Sequence, residues 1–312
     1  MTYLENIHLN KWIEQETPEI VIEPQLPIVD PHHHLWDIRK FTRNPHARFL
    51  QKVYLCEEFS KDIYEGGHNV FQTVFAECNA FYRTDGPDAM KCIGETEVIH
   101  GITSMSSSGL YGKPRLCAGI FGTADLTLGK EVESVLQAHM AASPNFRGIR
   151  SPFPKNLNAK FLDGYRLLGK YKLTYDNYSP DYERLPILAK LARKVPDVPI
   201  IVNHLGGKII PDDVQKWREC VKTIANCPNA FMKTGGPSNG SINGSHLSIS
   251  IIAKIRSAQR NYVSCCINII YMQSKHLVRS VVCSKAIFQL IKNVFPIELY
   301  GICLNELQQK RD

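Results

Sequence analysis

Residues 27–37 read Pro-Ile-Val-Asp-Pro-His-His-His-Leu-Trp-Asp, and this stretch decides both the fold and the candidate site. Its apolar residues predict a β-strand that ends in His32 and His34. Alternate side chains of an extended segment share one face, so both imidazoles point to the same side of the strand end. Two neutral imidazoles placed in this way form half of a divalent-metal site or a proton-handling pair. A histidine-rich turn without chemistry is the alternative, and His33 on the opposite face is expected to be structural.

Six further apolar, β-branched runs follow at residues 70–75, 116–121, 146–150, 172–175, 198–203 and 230–233. Helical patterns, with apolar residues three and four apart, lie between several of them, as at 128–142, 184–194 and 212–224. Strands that alternate with helices indicate parallel βα units. Seven such units within about 210 residues fit an α/β fold of the (β/α)8 TIM-barrel type better than an open sheet, although spacing alone leaves a doubly wound fold open.

The predicted barrel is flanked by two segments of different character. Residues 1–26 are polar and contain proline, and we interpret them as an N-terminal arm. Residues 27–250 form the predicted barrel, and residues 251–312 form an atypical C-terminal segment that we interpret as a surrogate for an eighth βα unit. Arg279–Cys283 is the one short β-branched candidate for an eighth strand there. We therefore expect a barrel that is distorted or incomplete at its C-terminal βα unit.

The net charge of +7 is concentrated in one part of the 312-residue chain. Residues 220–297 contain nine Lys and Arg and no Asp or Glu, so the rest of the chain is slightly acidic. Stacking aromatics are sparse in that basic segment (Tyr262, Tyr271), and it contains no nucleic-acid recognition motif. We therefore expect no nucleic-acid partner.

Neither a signal pattern nor an apolar run of membrane-spanning length is present in the sequence. The ten cysteines are scattered without paired metal-ligand spacing. Reduced thiols in a cytoplasmic protein, without a membrane partner, are the expectation from this pattern.

Polar side chains also end four of the other predicted strands. His204 follows the sixth strand and precedes Gly-Gly, which makes it a third candidate catalytic residue beside His32 and His34. Arg147 and Arg150 lie in the fourth strand, where they would hold a substrate carboxylate or form a salt bridge to a neighbouring strand end. Glu77 and Asp176 follow or end the second and fifth strands and are candidates to orient the histidines from behind.

Seven segments up to about residue 236 share the pattern of a known family: 29–37, 73–78, 94–97, 117–120, 124–126, 146–150 and 203–207. Through them the chain resembles the amidohydrolase-related family, in its amidohydrolase 2 branch of lactonase-type TIM-barrel hydrolases. The part after about residue 240 does not match that pattern. The resemblance implies a distorted TIM barrel, with His32 and His34 from strand 1 and His204 from strand 6. It also implies one divalent metal, zinc or manganese, at His32 and His34, although some lactonases of this branch work without a tightly bound metal.

The resemblance further implies a hydrolase that opens a small carboxylated lactone or cyclic ester by attack of an activated water. In the family an Asp on strand 8 activates that water, and residues 220–297 contain no acidic residue. Two alternatives stay open: a catalytically impaired barrel that binds a small acid or a protein partner, and a metal-dependent decarboxylase. An incomplete barrel exposes strand edges, which also predicts self-association into a homo-oligomer.

Overall fold

A computed structural model describes residues 21, 24–38, 53–154, 156–179, 181–207 and 213–233. The strands within these residues are β1 Ile28–His33, β2 Trp36–Asp37, β3 Val53–Tyr54, β4 Val70–Ala76, β5 Arg115–Gly122, β6 Phe146–Pro152, β7 Thr174–Tyr178, β8 Ile200–Val202 and β9 Ala230–Met232. Seven of them form one parallel sheet in the order β1-β4-β5-β6-β7-β8-β9, and β2 and β3 make a small antiparallel pair.

Helices connect the parallel strands, as the alternating pattern predicts. The α-helices are α1 Cys56–Glu65, α2 Ile93–Ser107, α3 Glu133–Ala142, α4 Ala159–Lys170, α5 Leu185–Lys194 and α6 Val214–Ala225, with short 3-10 turns at Asp88–Met90, Leu126–Val132, Tyr182–Arg184 and His204–Gly206. The sheet curls as part of a TIM barrel, so the predicted fold class is confirmed, and the described barrel is incomplete. The eighth-strand candidate 279–283 lies outside the described residues.

The helical pattern at 128–142 is divided into two elements, which the sequence pattern did not predict. Gly129 has a φ of +67° inside the turn Leu126–Val132, and the regular helix α3 begins only at Glu133. A Cβ on Gly129 would come within 2.8 Å of Lys160 Cγ in α4. The close approach of α4 therefore requires glycine here, and its left-handed backbone interrupts the helix.

The core lies between the sheet and the helices. Buried residues of both layers belong to one cluster: Ile120, Ile149, Tyr175 and Ile200 from strands, with Leu136, Leu168 and Leu188 from helices. Burying one such side chain stabilises the fold by about 1.5–3 kcal/mol. This packing holds the parallel strands in their relative positions. Their carboxyl ends therefore lie at one edge of the sheet, where polar side chains come together. Among the described helices, none is long and apolar enough to cross a bilayer.

We predict that Gly148→Ala destabilises the sheet between β6 and β7. A Cβ at Gly148 would clash with the Thr174 carbonyl oxygen and lie 2.9 Å from Phe121 Cε1. Because the clash is with backbone, relief requires the two strands to move, at a cost of about 1–3 kcal/mol. Urea unfolding would measure this loss. Gly101→Ala in α2 is the control, since nothing lies within 4 Å of its Cβ. Equal stability of the two variants would contradict this packing.

Candidate active site

The end of β1 is shaped by Pro31. The parallel register of β1 against β4 is irregular between Asp30 and His33, where a proline without an N–H interrupts the ladder. The Asp30 carboxylate accepts a hydrogen bond from the backbone N–H of His32 at 3.0 Å. Asp30 and His32 are both buried. The Asp-Pro-His sequence therefore fixes the backbone of His32 at the strand end.

His32 and His34 point to the same side, as their spacing predicts, and their Nε2 atoms lie 3.2 Å apart. Nδ1 of His34 lies 2.7 Å from the carbonyl oxygen of Ala76 at the end of β4. A carbonyl oxygen can only accept, so Nδ1 of His34 carries the hydrogen and its Nε2 presents a lone pair. The hydrogen between the two rings therefore belongs to Nε2 of His32. His33 faces the other way and stacks on Phe59.

Lys233 completes this chain of hydrogen bonds from the far end of the sheet. Its Nζ donates to Asp176 Oδ2 at 2.6 Å and lies 3.0 Å from Nδ1 of His32. The other oxygen of Asp176 accepts from the side-chain amide of Asn203, which also donates to the Asn177 carbonyl at 3.0 Å. Hydrogen bonds thus run from Lys233 to His32, and from His32 to His34. Asp176 reaches the histidines through Lys233.

His204 is brought to the same place by an unusual backbone turn. His204 and Leu205 have φ values of +50° and +58°, a conformation that costs side-chain-bearing residues roughly 1–3 kcal/mol each. The turn is held because Leu205 N–H donates to the Lys233 carbonyl at 2.9 Å and Trp217 Nε1 donates to the Leu205 carbonyl at 2.8 Å. The result is a His204 ring whose centroid lies 4.9 Å from that of His32.

The two arginines of β6 have different locations. Arg150 lies at the carboxyl end, where Nη1 donates to the Glu77 carboxylate at 2.9 Å and to the Glu77 carbonyl at 3.0 Å. Arg147 is exposed near the amino end of the strand and donates to the carbonyls of Pro144 and Phe146. The structure therefore does not bring Arg147 to the site, because three residues of extended chain separate it from Arg150 by about 10 Å. Glu77 therefore anchors Arg150 and does not orient a histidine, since the Ala76 carbonyl orients His34.

Burial keeps the central imidazoles neutral. The pKa of His32 is well below its ordinary value because the ring is buried and, secondarily, because Lys233 is positively charged. Burial and then the charge of Arg150 lower the pKa of His34 to about 3. Burial also lowers the pKa of Lys233, and Asp176 opposes that shift. Burial raises the pKa of Asp30 to about 7. At neutral pH the site therefore contains two uncharged imidazoles with opposite hydrogen-bonding roles at Nε2.

A divalent metal does not fit this arrangement of donors. Among the described residues, no group of three or more His, Cys, Asp or Glu side chains is placed to hold a metal ion. The Nε2 atoms of His32 and His34 are close enough to share one ion, but both would have to present lone pairs. His32 would then carry its hydrogen on Nδ1, facing the donor Nζ of Lys233. The observed hydrogen bonds supply one lone pair where a metal needs two.

Lys233 and Asn203 are the site residues that sequence reasoning did not select. Lys233 directly follows the apolar run 230–232, just as His204 follows the preceding strand. In the sequence it is one of the nine cationic residues of the basic segment 220–297. The rule that polar residues at strand ends face a shared site applies to Lys233 equally and is the signal that identifies it.

Comparison with known proteins agrees with this architecture. Residues 114–265 match the sequence model of the family described as amidohydrolase. The resemblance to the amidohydrolase family is confirmed. The match ends at residue 265, so the expectation that the resemblance stops at about residue 240 is corrected; residues 234–265 lie outside the described residues. A Sinorhizobium fredii protein named "Uncharacterized protein y4mH" is 28% identical over 250 residues, which cover 72% of this chain and 77% of that protein.

Solved structures with the same fold include an amidohydrolase from Burkholderia multivorans with bound zinc. It has a TM-score of 0.60 and 16% identity, and the match covers 85% of this chain and 90% of the other. A second is a probable 2-pyrone-4,6-dicarboxylic acid hydrolase from Acinetobacter baumannii with citric acid bound, with a TM-score of 0.54, 13% identity and coverage of 85% and 91%. At these identities the likeness shows the fold.

The Arg150–Glu77 pair gives a prediction about stability. Both side chains are less than a tenth exposed, so removing one partner leaves a buried charge without its counterion. We expect Arg150→Met or Glu77→Met to cost about 3–5 kcal/mol in urea unfolding, and the double variant to cost less than their sum. Arg83→Met is the control, because its pair with Glu97 is nearly half exposed and contributes less than about 1 kcal/mol. Additive losses would show that the pair does not interact.

Glu95 of α2 secures the loop that follows β4. Its Oε1 accepts from the backbone N–H groups of Cys78 and Ala80 at 3.1 and 2.8 Å. Burial raises the pKa of this carboxyl from its usual 4.5 to about 8, and the two N–H groups oppose that shift. The folded protein therefore retains a proton on Glu95 that the unfolded chain releases.

We predict that Glu95→Gln changes how stability depends on pH. Between about pH 4.5 and 8 only the unfolded chain loses the Glu95 proton, so this residue lowers native stability as pH rises, by up to about 1.4 kcal/mol per pH unit. Glutamine cannot titrate, so the stability of the variant relative to the native protein should increase from pH 5 to 8 in urea unfolding. Glu97→Gln, at an exposed position, is the control. Parallel pH curves for native protein and Glu95→Gln would refute the assignment.

Proposed function

We propose that this amidohydrolase-like protein is a hydrolase that opens a small carboxylated lactone or cyclic ester by attack of water. One observation carries the proposal: two neutral imidazoles, His32 buried and His34 partly buried, meet at the carboxyl end of β1 with opposite roles at Nε2. His32 offers a hydrogen and His34 a lone pair. Hydrolysis of an ester needs both functions, a donor for the developing oxyanion and a base for the water.

The reaction follows from these roles. When the substrate carbonyl oxygen accepts the Nε2 hydrogen of His32, the lone pair of His34 is released from its present contact. Water then loses a proton to Nε2 of His34 while its oxygen bonds to the carbonyl carbon, and the negative charge on the carbonyl oxygen is stabilised by His32. As the ring C–O bond breaks, the proton on His34 passes to the departing oxygen. The product is a hydroxy acid. His204, with its ring near His32, would contact the substrate from the β8 side.

Arg150 supports a carboxylated substrate. Its Nε is a buried donor without a hydrogen-bond partner in the described part of the chain, although Glu77 anchors Nη1. A substrate carboxylate would satisfy that donor. It would also offset the charge of Arg150, which is the second cause of the low pKa of His34. Substrate binding would thereby make His34 a stronger base. Arg147, far from this edge, has no part in the proposal.

We also place this activity in the cytoplasm, with a small molecule as partner. The six cysteines in the described ranges are free thiols, which suits a reducing compartment. The cytoplasmic location is inferred from the cysteines alone and does not depend on the proposed reaction.

We predict that His34→Ala lowers kcat/KM for a carboxylated lactone by about 10²–10⁴-fold, because the base is removed. The measurement is acid release from five- and six-membered lactones, each with and without a carboxylate, in the presence of chelator and of added zinc or manganese. His68→Ala is the control, since His68 precedes β4 at the opposite end of the sheet. A native protein with a folded circular dichroism spectrum and no turnover would instead favour a binding protein. Release of carbon dioxide would favour a decarboxylase.

A further inference from the structure

Lys233 makes more contacts than a structural ion pair requires. Its side chain is 6% exposed and Asp176 is fully buried, and their 2.6 Å contact already compensates both charges. The ammonium group has further hydrogens, and the 3.0 Å contact to Nδ1 of His32 uses one of them. Its Nζ also lies 5.6 Å from the centroid of the Phe121 ring, a favourable site for a cation. The position of Nζ is thus defined from three sides.

The backbone of Lys233 is equally fixed. Its N–H donates to the Val202 carbonyl at 2.8 Å, and its own carbonyl accepts from Leu205 at 2.9 Å. Asp176 in turn is held by the Asn203 amide. Lys233 therefore has little freedom to turn away from His32. An ammonium group can only donate, so as long as it faces Nδ1 that nitrogen must present its lone pair.

We propose that Lys233 is a positioning residue that fixes His32 in the tautomer with its hydrogen on Nε2. His32 then presents a hydrogen-bond donor, and no metal-binding lone pair, to the substrate. Because Lys233 withdraws electron density through Nδ1, the Nε2 hydrogen becomes a stronger donor to a developing oxyanion. The catalytic role of this tautomer, donation to the oxyanion, rests on the proposed function. The tautomer itself and its effect on metal binding are properties of the protein without substrate.

The same contact explains why a metal does not fit the donor set of the described residues. A zinc ion at Nε2 of His32 would require the ring hydrogen to move to Nδ1, against Lys233. The positive charge that a metal would bring to this edge is already supplied by the ammonium group. Removing that group should therefore make His32 and His34 better zinc ligands.

The test compares His34→Ala with Lys233→Met/His34→Ala, using protein labelled with ¹⁵N at histidine, because without the His34 lone pair only Lys233 sets the tautomer of His32. Long-range ¹H–¹⁵N spectra distinguish the two neutral tautomers, and the His32 signals are assigned by their loss in His32→Gln. We expect the Nε2–H tautomer in the native protein and in His34→Ala, and a mixture, or the Nδ1–H form, in Lys233→Met/His34→Ala. Lys216→Met, which breaks an exposed pair with Glu183, should leave the His32 signals unchanged. An identical His32 tautomer in His34→Ala and Lys233→Met/His34→Ala would overturn the proposal.

Zinc titration by calorimetry is the second measurement. We expect Lys233→Met to bind zinc at least about tenfold more tightly than native protein, and the additional substitution His34→Ala to abolish the gain. Should Lys233→Met unfold because Asp176 is left unpaired, Lys233→Met/Asp176→Asn removes both charges and permits the same measurements. Native protein that binds zinc tightly through His32 and His34 would overturn the proposal. Neither readout requires turnover, so they remain decisive even if lactone hydrolysis is absent.

Discussion

The buried ammonium group of Lys233 connects the two ends of the described sheet. It follows β9, yet it contacts His32 of β1 and Asp176 of β7. A charge buried this deeply is tolerated only when it is paired and hydrogen-bonded, so the three strand ends must keep their relative positions. The same constraint extends to β8, because the Lys233 carbonyl holds the left-handed turn that carries His204. The contacts of Lys233 that hold these strand ends together therefore also set the geometry of the candidate site.

Two buried ion pairs at this edge divide the electrostatic roles. Glu77 compensates Arg150, and Asp176 compensates Lys233. The positive charges nevertheless remain close enough to His32 and His34 to lower their pKa values, in addition to the larger effect of burial. The imidazoles therefore stay neutral and differ only in which nitrogen carries the hydrogen. The Burkholderia multivorans amidohydrolase with bound zinc has the same fold, whereas the donors described here are arranged around a lysine.

Much of the fold was predictable because strands and helices of parallel βα units have different apolar periods. All seven predicted strands are present, with bounds that shift by a few residues. The break in the helical pattern at Gly129 was not predictable, since it results from contact with Lys160, thirty-one residues further along the chain. Arg147 and Arg150 look alike in sequence, but one lies near the amino end of β6 and the other at its carboxyl end. Only the latter contacts another strand end.

The sequence by itself determined that His32 and His34 share a face and that His204 ends a parallel strand, because these properties follow from local backbone geometry. It could not determine which ring nitrogen carries a hydrogen. That choice depends on partners 42 and 201 residues away, the Ala76 carbonyl and the Lys233 ammonium. Only tertiary structure brings a carbonyl to one imidazole and a cation to the other. Hydrogen-bond polarity is set by these long-range contacts, and no local pattern encodes it.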